Sequence, residues 1–81
     1  MTLDEIIDLV EDPDLLTLDG YDECVVGLVE RQGQPTILCY DRALILAKLE
    51  REMSAEEAEE FFDFNIIGAW MGDRTPCFLT Q

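Results

Sequence analysis

Residues 54–65, SAEEAEEFFDFN, hold five carboxylates and three phenylalanines. Carboxylates at that density can do three kinds of chemistry. They can pair as general acid and base, ligate a hard cation, or be read by the lysines and arginines of a partner. The first needs a desolvated carboxyl with a raised pKa in a cleft, whereas the spacing here puts the acids on a solvated helix face. The sequence has no histidine, so no Ser-His or Cys-His nucleophile pair can be assembled. Gly68 and Gly72 match neither a P-loop nor a dinucleotide fingerprint. No catalytic residue is therefore expected.

Cation binding fares no better. The stretch EDPDLLTLDGYDE is acidic, but an EF-hand begun at Asp12 would have Leu16 at its fifth position and Thr17 at its sixth. Those positions call for an oxygen ligand and a glycine. The cysteines at 24, 39 and 77 form no CxxC pair, which argues against zinc. Each has apolar neighbours and reads as a small buried side chain. No cofactor, metal or disulfide is expected.

Partner reading remains. On an ideal helix, Glu56, Glu59, Glu60 and Asp63 fall within roughly a 100° arc. Ala55, Ala58, Phe62, Asn65 and Ile66 lie opposite, with Phe61 at the margin. Like charges at such spacings disfavour a helix by about 0.2–0.5 kcal/mol per pair, and no Lys or Arg is interleaved to offset it. Seven residues of helix rise about 10 Å, over which one DNA strand presents about three phosphates. The four carboxylates thus match the charge density of a single nucleic-acid strand. Phe64 falls on the polar side of this helix. A loop carrying Trp70 could fold over it, or it could anchor a partner or a second copy. Asn65, on the inner arc, is expected to tie down loop backbone.

The totals point the same way. Nineteen acids and five bases give a formal charge of −14 in 81 residues, and the first thirty residues contain ten acids and no base. Such a chain is repelled by DNA, RNA and anionic lipid and drawn to basic protein surfaces. Its longest apolar run is Ala43 to Ala47, far short of a membrane span, and no signal-peptide pattern opens it. A hydrophobic content of 48% is that of a folding chain, and the length suits one small domain over residues 1–81.

The elements that position these residues follow from periodicity. Leu3, Ile6, Ile7 and Val10 form one stripe of a first helix, capped by Thr2 and ended at Asp12-Pro13. Asp4, Glu5, Asp8 and Glu11 occupy its other face as a second acidic surface. Asp19-Gly20 marks a turn. Residues 23–41 read as a hairpin turning at Gly33-Gln34, which would set Leu28 opposite Cys39 and Val26 opposite Asp41. Cys24 and Cys39 would then share a face. Both faces are apolar, so the chain ends or a second subunit must cover the outer one. Asp41 can cap a second helix over residues 42–53, apolar most of the way round and so buried on more than one side. Ser54 and Glu57 form an S-x-x-E capping box that starts the third helix, ending near Ile67-Gly68. Residues 76–79 make a final strand. The predicted fold is α+β: a small three-stranded antiparallel sheet packed with helices, in the order α-β-β-α-α-β.

The segments YDECVVGLVER, CYDRALILAKL and MSAEEAEEFFDFNIIGAWMGDRTPCF together resemble a family of small acidic proteins of phages and prophages. The pattern comprises Tyr21-Asp22, Gly27, Tyr40-Asp41, Ser54 through Glu59, Phe64-Asn65, Gly68-Ala69, Gly72 and Thr75-Pro76. It covers residues 20–79, and its most specific part is FN-x-x-GA-x-x-G-x-x-TP. The resemblance implies a phage-type, non-structural protein of the host cytoplasm and carries no catalytic residues. Small, acidic, non-enzymatic phage proteins include many inhibitors of host defence, among them anti-CRISPR proteins that block nucleic-acid grooves. The expected partner is a basic host protein, such as a CRISPR-Cas effector subunit, met by Glu56, Glu59, Glu60, Asp63 and Phe64 with Asp4, Glu5, Asp8 and Glu11. The chain itself is expected to be a monomer or homodimer. The alternative is an accessory or assembly protein whose apolar faces form a homo-oligomer while the acids confer solubility.

Overall fold

A computed structural model describes residues 3–10, 15–18, 20–68 and 72–81, apart from the side chain of Val10. The expected cap Thr2, the helix end at Asp12-Pro13, and Glu11, Asp19 and Trp70 lie outside the described residues. Helix α1 (Leu3–Val10) leads to a 3-10 turn (Asp22–Cys24) and then strands β1 (Val25–Val29) and β2 (Ile37–Asp41). Helices α2 (Arg42–Leu49) and α3 (Ala55–Phe61) follow, and α3 runs directly into a π-helical segment (Phe62–Ile67). Strand β3 (Cys77–Leu79) closes the order.

The sheet order is β1-β2-β3, with β1 and β2 antiparallel and β2 and β3 parallel. The fold is α+β, but its sheet is mixed rather than wholly antiparallel. The cause lies in the connection. Between β2 and β3 the chain runs through two helices and the π-helical segment, and this helical crossover carries it back to the end of the sheet where β2 began, so that the next strand runs parallel.

The hairpin register also differs by one residue. Val29 pairs with Ile37, Leu28 with Leu38 and Gly27 with Cys39, and an irregularity between Val25 and Gly27 brings Val25 opposite Tyr40. The turn is centred on Gln32-Gly33: the Gln34 amide donates to the Arg31 carbonyl at 3.1 Å. Gly33 sits third in that turn at φ +75°, a left-handed conformation that glycine takes without steric cost. A one-residue slip moves side chains between faces. Leu38 and Tyr40 accordingly face the helices with Cys24, while Ile37 and Cys39 point to the other side of the sheet. Cys24 and Cys39 do not share a face. Ile37 and Cys39 are only 5% and 7% exposed, so the single chain covers these two side chains. All three cysteines are free, with Cys77 only half-buried.

The core gathers Leu3 and Ile6 from α1, Cys24, Val25, Leu38 and Tyr40 from the sheet region, and Ile45, Leu49, Ala58, Phe62 and Ile66 from the helical crossover. Phe62 meets Phe78 edge-on with ring centroids 5.1 Å apart. Tyr40 is fully buried, and its hydroxyl accepts from the Leu18 amide at 2.8 Å, which pins the connector to the central strand. Ile7, expected on the apolar stripe of α1, is instead exposed.

Helix α2 is shorter and wetter than its composition suggested. It ends at Leu49, and only Ile45 and Leu49 are buried, while Ala43, Leu44 and Ala47 are exposed. Its eight residues pack on β2 and α3 along one side. The caps of α2 and α3 fall where expected. Asp41 accepts from the Leu44 amide at 3.2 Å. The Ser54 hydroxyl accepts from the Glu57 amide at 3.2 Å and donates to the Glu57 carboxylate at 3.0 Å.

Beyond Phe61 the helix widens into π geometry. A π turn holds more residues, so each step rotates less and residues four apart come closer to alignment. Ala58, Phe62 and Ile66 remain inward and buried. Asn65 is carried off the inner arc and is exposed, its amide donating to the Phe61 carbonyl at 3.3 Å rather than to a loop. Gly68 ends the segment: a Cβ there would lie 2.9 Å from the Phe64 carbonyl oxygen and 3.2 Å from that of Asp63.

Candidate functional site

The four carboxylates expected on one face of the third helix are all exposed there: Glu56, Glu59 and Glu60 on α3, and Asp63 at the start of the π-helical segment. Ser54 starts this helix through its cap, and the buried Ala58, Phe62 and Ile66 fix its rotation about its own axis. The acids therefore project from a capped and packed element. Glu59 lies 3.7 Å from the Arg42 guanidinium at the start of α2. That guanidinium also stands 5.0 Å from the centre of the Phe62 ring. Glu56, Glu60 and Asp63 have no cation within bridging distance among the described residues.

Phe64 is 82% exposed, and Trp70, whose loop was expected to fold over it, lies outside the described residues. Ile67, one turn further on, is also exposed. On α1, Asp4, Glu5 and Asp8 are exposed, and Glu11 lies outside the described residues. The two acidic helices rest on different neighbours, α1 on β1 and α3 on α2.

Sequence periodicity within single helices missed a feature that spans two. Ala43, Leu46 and Glu50 of α2 and its end face Ala55, Glu56 and Glu59 of α3 across a groove of about 500 Å³. Ala43, Leu46 and Glu50 recur at i, i+3 and i+7, so they share a side of α2, but nothing in the spacing tells which helix that side would meet. Glu50 thus joins Glu56 and Glu59 as a third acid lining the groove, from its α2 side.

The remaining described bases include Lys48, whose ammonium bonds the Glu23 carboxylate at 2.6 Å and the Gly20 carbonyl. It also stands 5.4 Å from the centre of the Tyr21 ring. The Lys48 bond holds the Glu23 carboxyl below its ordinary pKa, and Glu23 in turn raises that of Lys48. On the far side of the sheet, Cys39 and Cys77 are direct neighbours on parallel strands. Burial, together with the hydrogen-bonded Cys77 thiol, pushes Cys39 up to about 11. Burial likewise raises Cys24. Both buried thiols are therefore poor nucleophiles at neutral pH.

Among the described residues, no group of three or more Cys, Asp or Glu side chains is placed to hold a metal ion, and no helix is long and apolar enough to cross a membrane. Fold and surface together define a small α+β protein with a mixed three-stranded sheet and an acidic helical face. Compared with known proteins, the chain matches no family model, no curated protein and no solved structure. The phage-protein resemblance rests on its motif residues alone.

Proposed function

We propose that this chain is a non-enzymatic binding protein of phage type that acts in the host cytoplasm. It occupies a basic nucleic-acid-binding surface of a host defence complex, with a CRISPR-Cas effector subunit as the particular target, and denies nucleic acid access to it. The observation that carries this reading is the exposed row Glu56, Glu60 and Asp63, held on a capped and packed helix with no cation in bridging distance among the described residues. A net charge of −14 adds long-range attraction to basic surfaces. Since the partner's lysines and arginines normally meet phosphate, binding is competitive with DNA or RNA and weakens with salt.

The test is the simultaneous reversal of Glu56, Glu59, Glu60 and Asp63 to lysine. Binding to a host effector, captured at low salt and identified by mass spectrometry, should be lost while the circular dichroism spectrum stays unchanged. Retained inhibition of nucleic-acid binding by that variant would overturn the surface assignment.

A second reading is favoured by a different observation. Phe64 and Ile67 form an exposed apolar pair on the π-helical segment, and Ile7 and Leu9 are exposed on α1. These suit an accessory or assembly protein that forms a homo-oligomer, with its acids serving solubility. Light scattering separates the two. A dimer that dissociates on Phe64→Ala supports self-association through that segment, whereas a monomer at all concentrations leaves the acidic face as the working surface.

A further inference from the structure

The acidic-face reading treats four carboxylates as one patch, yet they differ in what lies beside them. Glu60 and Asp63 are exposed, whereas Glu56 and Glu59 line the α2–α3 groove. The groove's apolar surface is supplied by Ala43, Leu46 and Ala55. Ala43 and Ala55 are exposed and Leu46 half-buried, so this surface faces water in the single chain. Glu50 and Glu56 stand on its rim, neither with a cation within bridging distance among the described residues. Glu59, also on the rim, is already bridged to Arg42.

Resting on the reading above, we propose that this groove is the docking point for arginine side chains of the partner. The guanidinium sits between Glu50 and Glu56, and the aliphatic stem lies along Ala43, Leu46 and Ala55. An apolar floor with an acidic rim is complementary to a side chain that is apolar along its stem and cationic at its tip. Arginine fits better than lysine because its planar guanidinium is less strongly hydrated and can bridge two carboxylates. The small residues Ala43 and Ala55 keep the floor open, and a groove of about 500 Å³ exceeds one side chain, so a short arginine-bearing segment enters rather than a single tip. A second copy of this chain is a poor occupant. It carries a charge of −14, and two of its five bases, Arg42 and Lys48, are engaged within the fold. Glu50 and the groove become the specific part of the site, and Glu60 and Asp63 the long-range part.

The experiment is a fluorescence-polarisation titration of the full chain with two labelled peptides of equal charge at physiological salt. One is tetra-arginine; the other carries the same guanidinium on 2-amino-3-guanidinopropionate, two methylenes shorter. Tetra-arginine should bind tighter by about fivefold, because each methylene removed from water adds to affinity. Ala43→Trp, which fills the groove without altering charge, should abolish that difference, with Ala55→Trp as the second variant should the first disturb the thermal melt. Glu50→Gln with Glu56→Gln should weaken tetra-arginine binding more than Glu60→Gln with Asp63→Gln, which removes the same charge. Equal losses from the two pairs, or no dependence on stem length, would overturn the groove while leaving salt-dependent binding of a basic partner standing. Failure to bind tetra-arginine together with concentration-dependent dimerisation that Ala43→Trp removes would overturn it in favour of a second copy.

Discussion

Residues 55–67 form one helical stretch with two opposite faces, and the contrast between them is instructive. The inner face is specified by contact: Ala58, Phe62 and Ile66 are buried, and Phe62 meets both the Phe78 ring and the Arg42 guanidinium. The outer face is specified by charge. Glu56, Glu60 and Asp63 have no bridging cation among the described residues, and Phe64 is 82% exposed. Elsewhere the same chain does neutralise its acids. At the corner before β1, Lys48 bonds Glu23, the Gly20 carbonyl and the face of Tyr21 at once. A plain solubility face would be indifferent to where the five bases fall. Here Lys48 serves that corner and Arg42 reaches Glu59 alone of the α3 arc, whose other acids have no bridging base among the described residues.

The contrast breaks most severely at Phe62. Phe62→Ala removes a fully buried ring, its edge-on contact with Phe78 and the surface on which Arg42 rests. A loss of about 3–5 kcal/mol is expected, a large share of what so small a domain has. Urea denaturation measures it, and Phe62→Leu should recover much of the loss. A cost below about 1 kcal/mol would show that the inner face is not the anchor of the helix.

The cap sets the next largest effect. Ser54→Ala deletes the acceptor for the Glu57 amide and should cost about 1 kcal/mol. The acids of the first turn, Glu56 and Glu57, already favour the helix N-terminus, so the helix should persist while its first turn frays. Amide exchange at Glu56 and Glu57 would report this directly.

These two interactions also show what was legible in the sequence. Ser54 and Asp41 act on backbone amides three residues away, so their spacing alone located both helix starts. The buried stripe Ala58–Phe62 followed equally from local periodicity. The parallel placement of β3 did not, because Cys77 meets Cys39 only after a long crossover that local pattern does not orient. The π-helical turn escaped as well: it rotates Asn65 outward through a change in residues per turn that a fixed 3.6-residue wheel has no means to show. Glu50 was missed as a rim residue because its relation to Glu56 depends on how α2 and α3 pack, and the apolar content of α2 suggested burial on more sides than the fold provides.

The Lys48 corner gives a smaller effect that sharpens the contrast between paired and unpaired acids. Hydrogen bonding to Lys48 depresses the Glu23 carboxyl in the folded chain. Its contribution is therefore present above the ordinary carboxylate pKa and is lost as pH falls through the depressed folded value. Lys48 is raised by the same bond, so its contribution is present below the ordinary lysine pKa and lost as pH rises through the raised one. Both groups are exposed, and solvent screens the pair. Carboxyl-detected NMR titration should find Glu23 depressed in the native chain and restored to the ordinary range by Lys48→Met. A carboxyl unmoved by that substitution would remove the distinction between this corner and the α3 arc.

Phe64→Ala should have the smallest effect on stability, and its smallness is informative. Phe62 and Phe64 are the same side chain two residues apart, one fully buried and the other 82% exposed. Truncating the exposed ring removes almost no internal contact, so the change in unfolding free energy should stay within about 0.5 kcal/mol. Exposure of this kind costs solubility without a return inside the fold. If the ring anchors a partner, Phe64→Ala weakens capture from the host at high salt, where the carboxylates are screened, and leaves the melting temperature in place. A drop in melting temperature instead would place Phe64 with Phe62 as a packing residue and erase the division between the two faces.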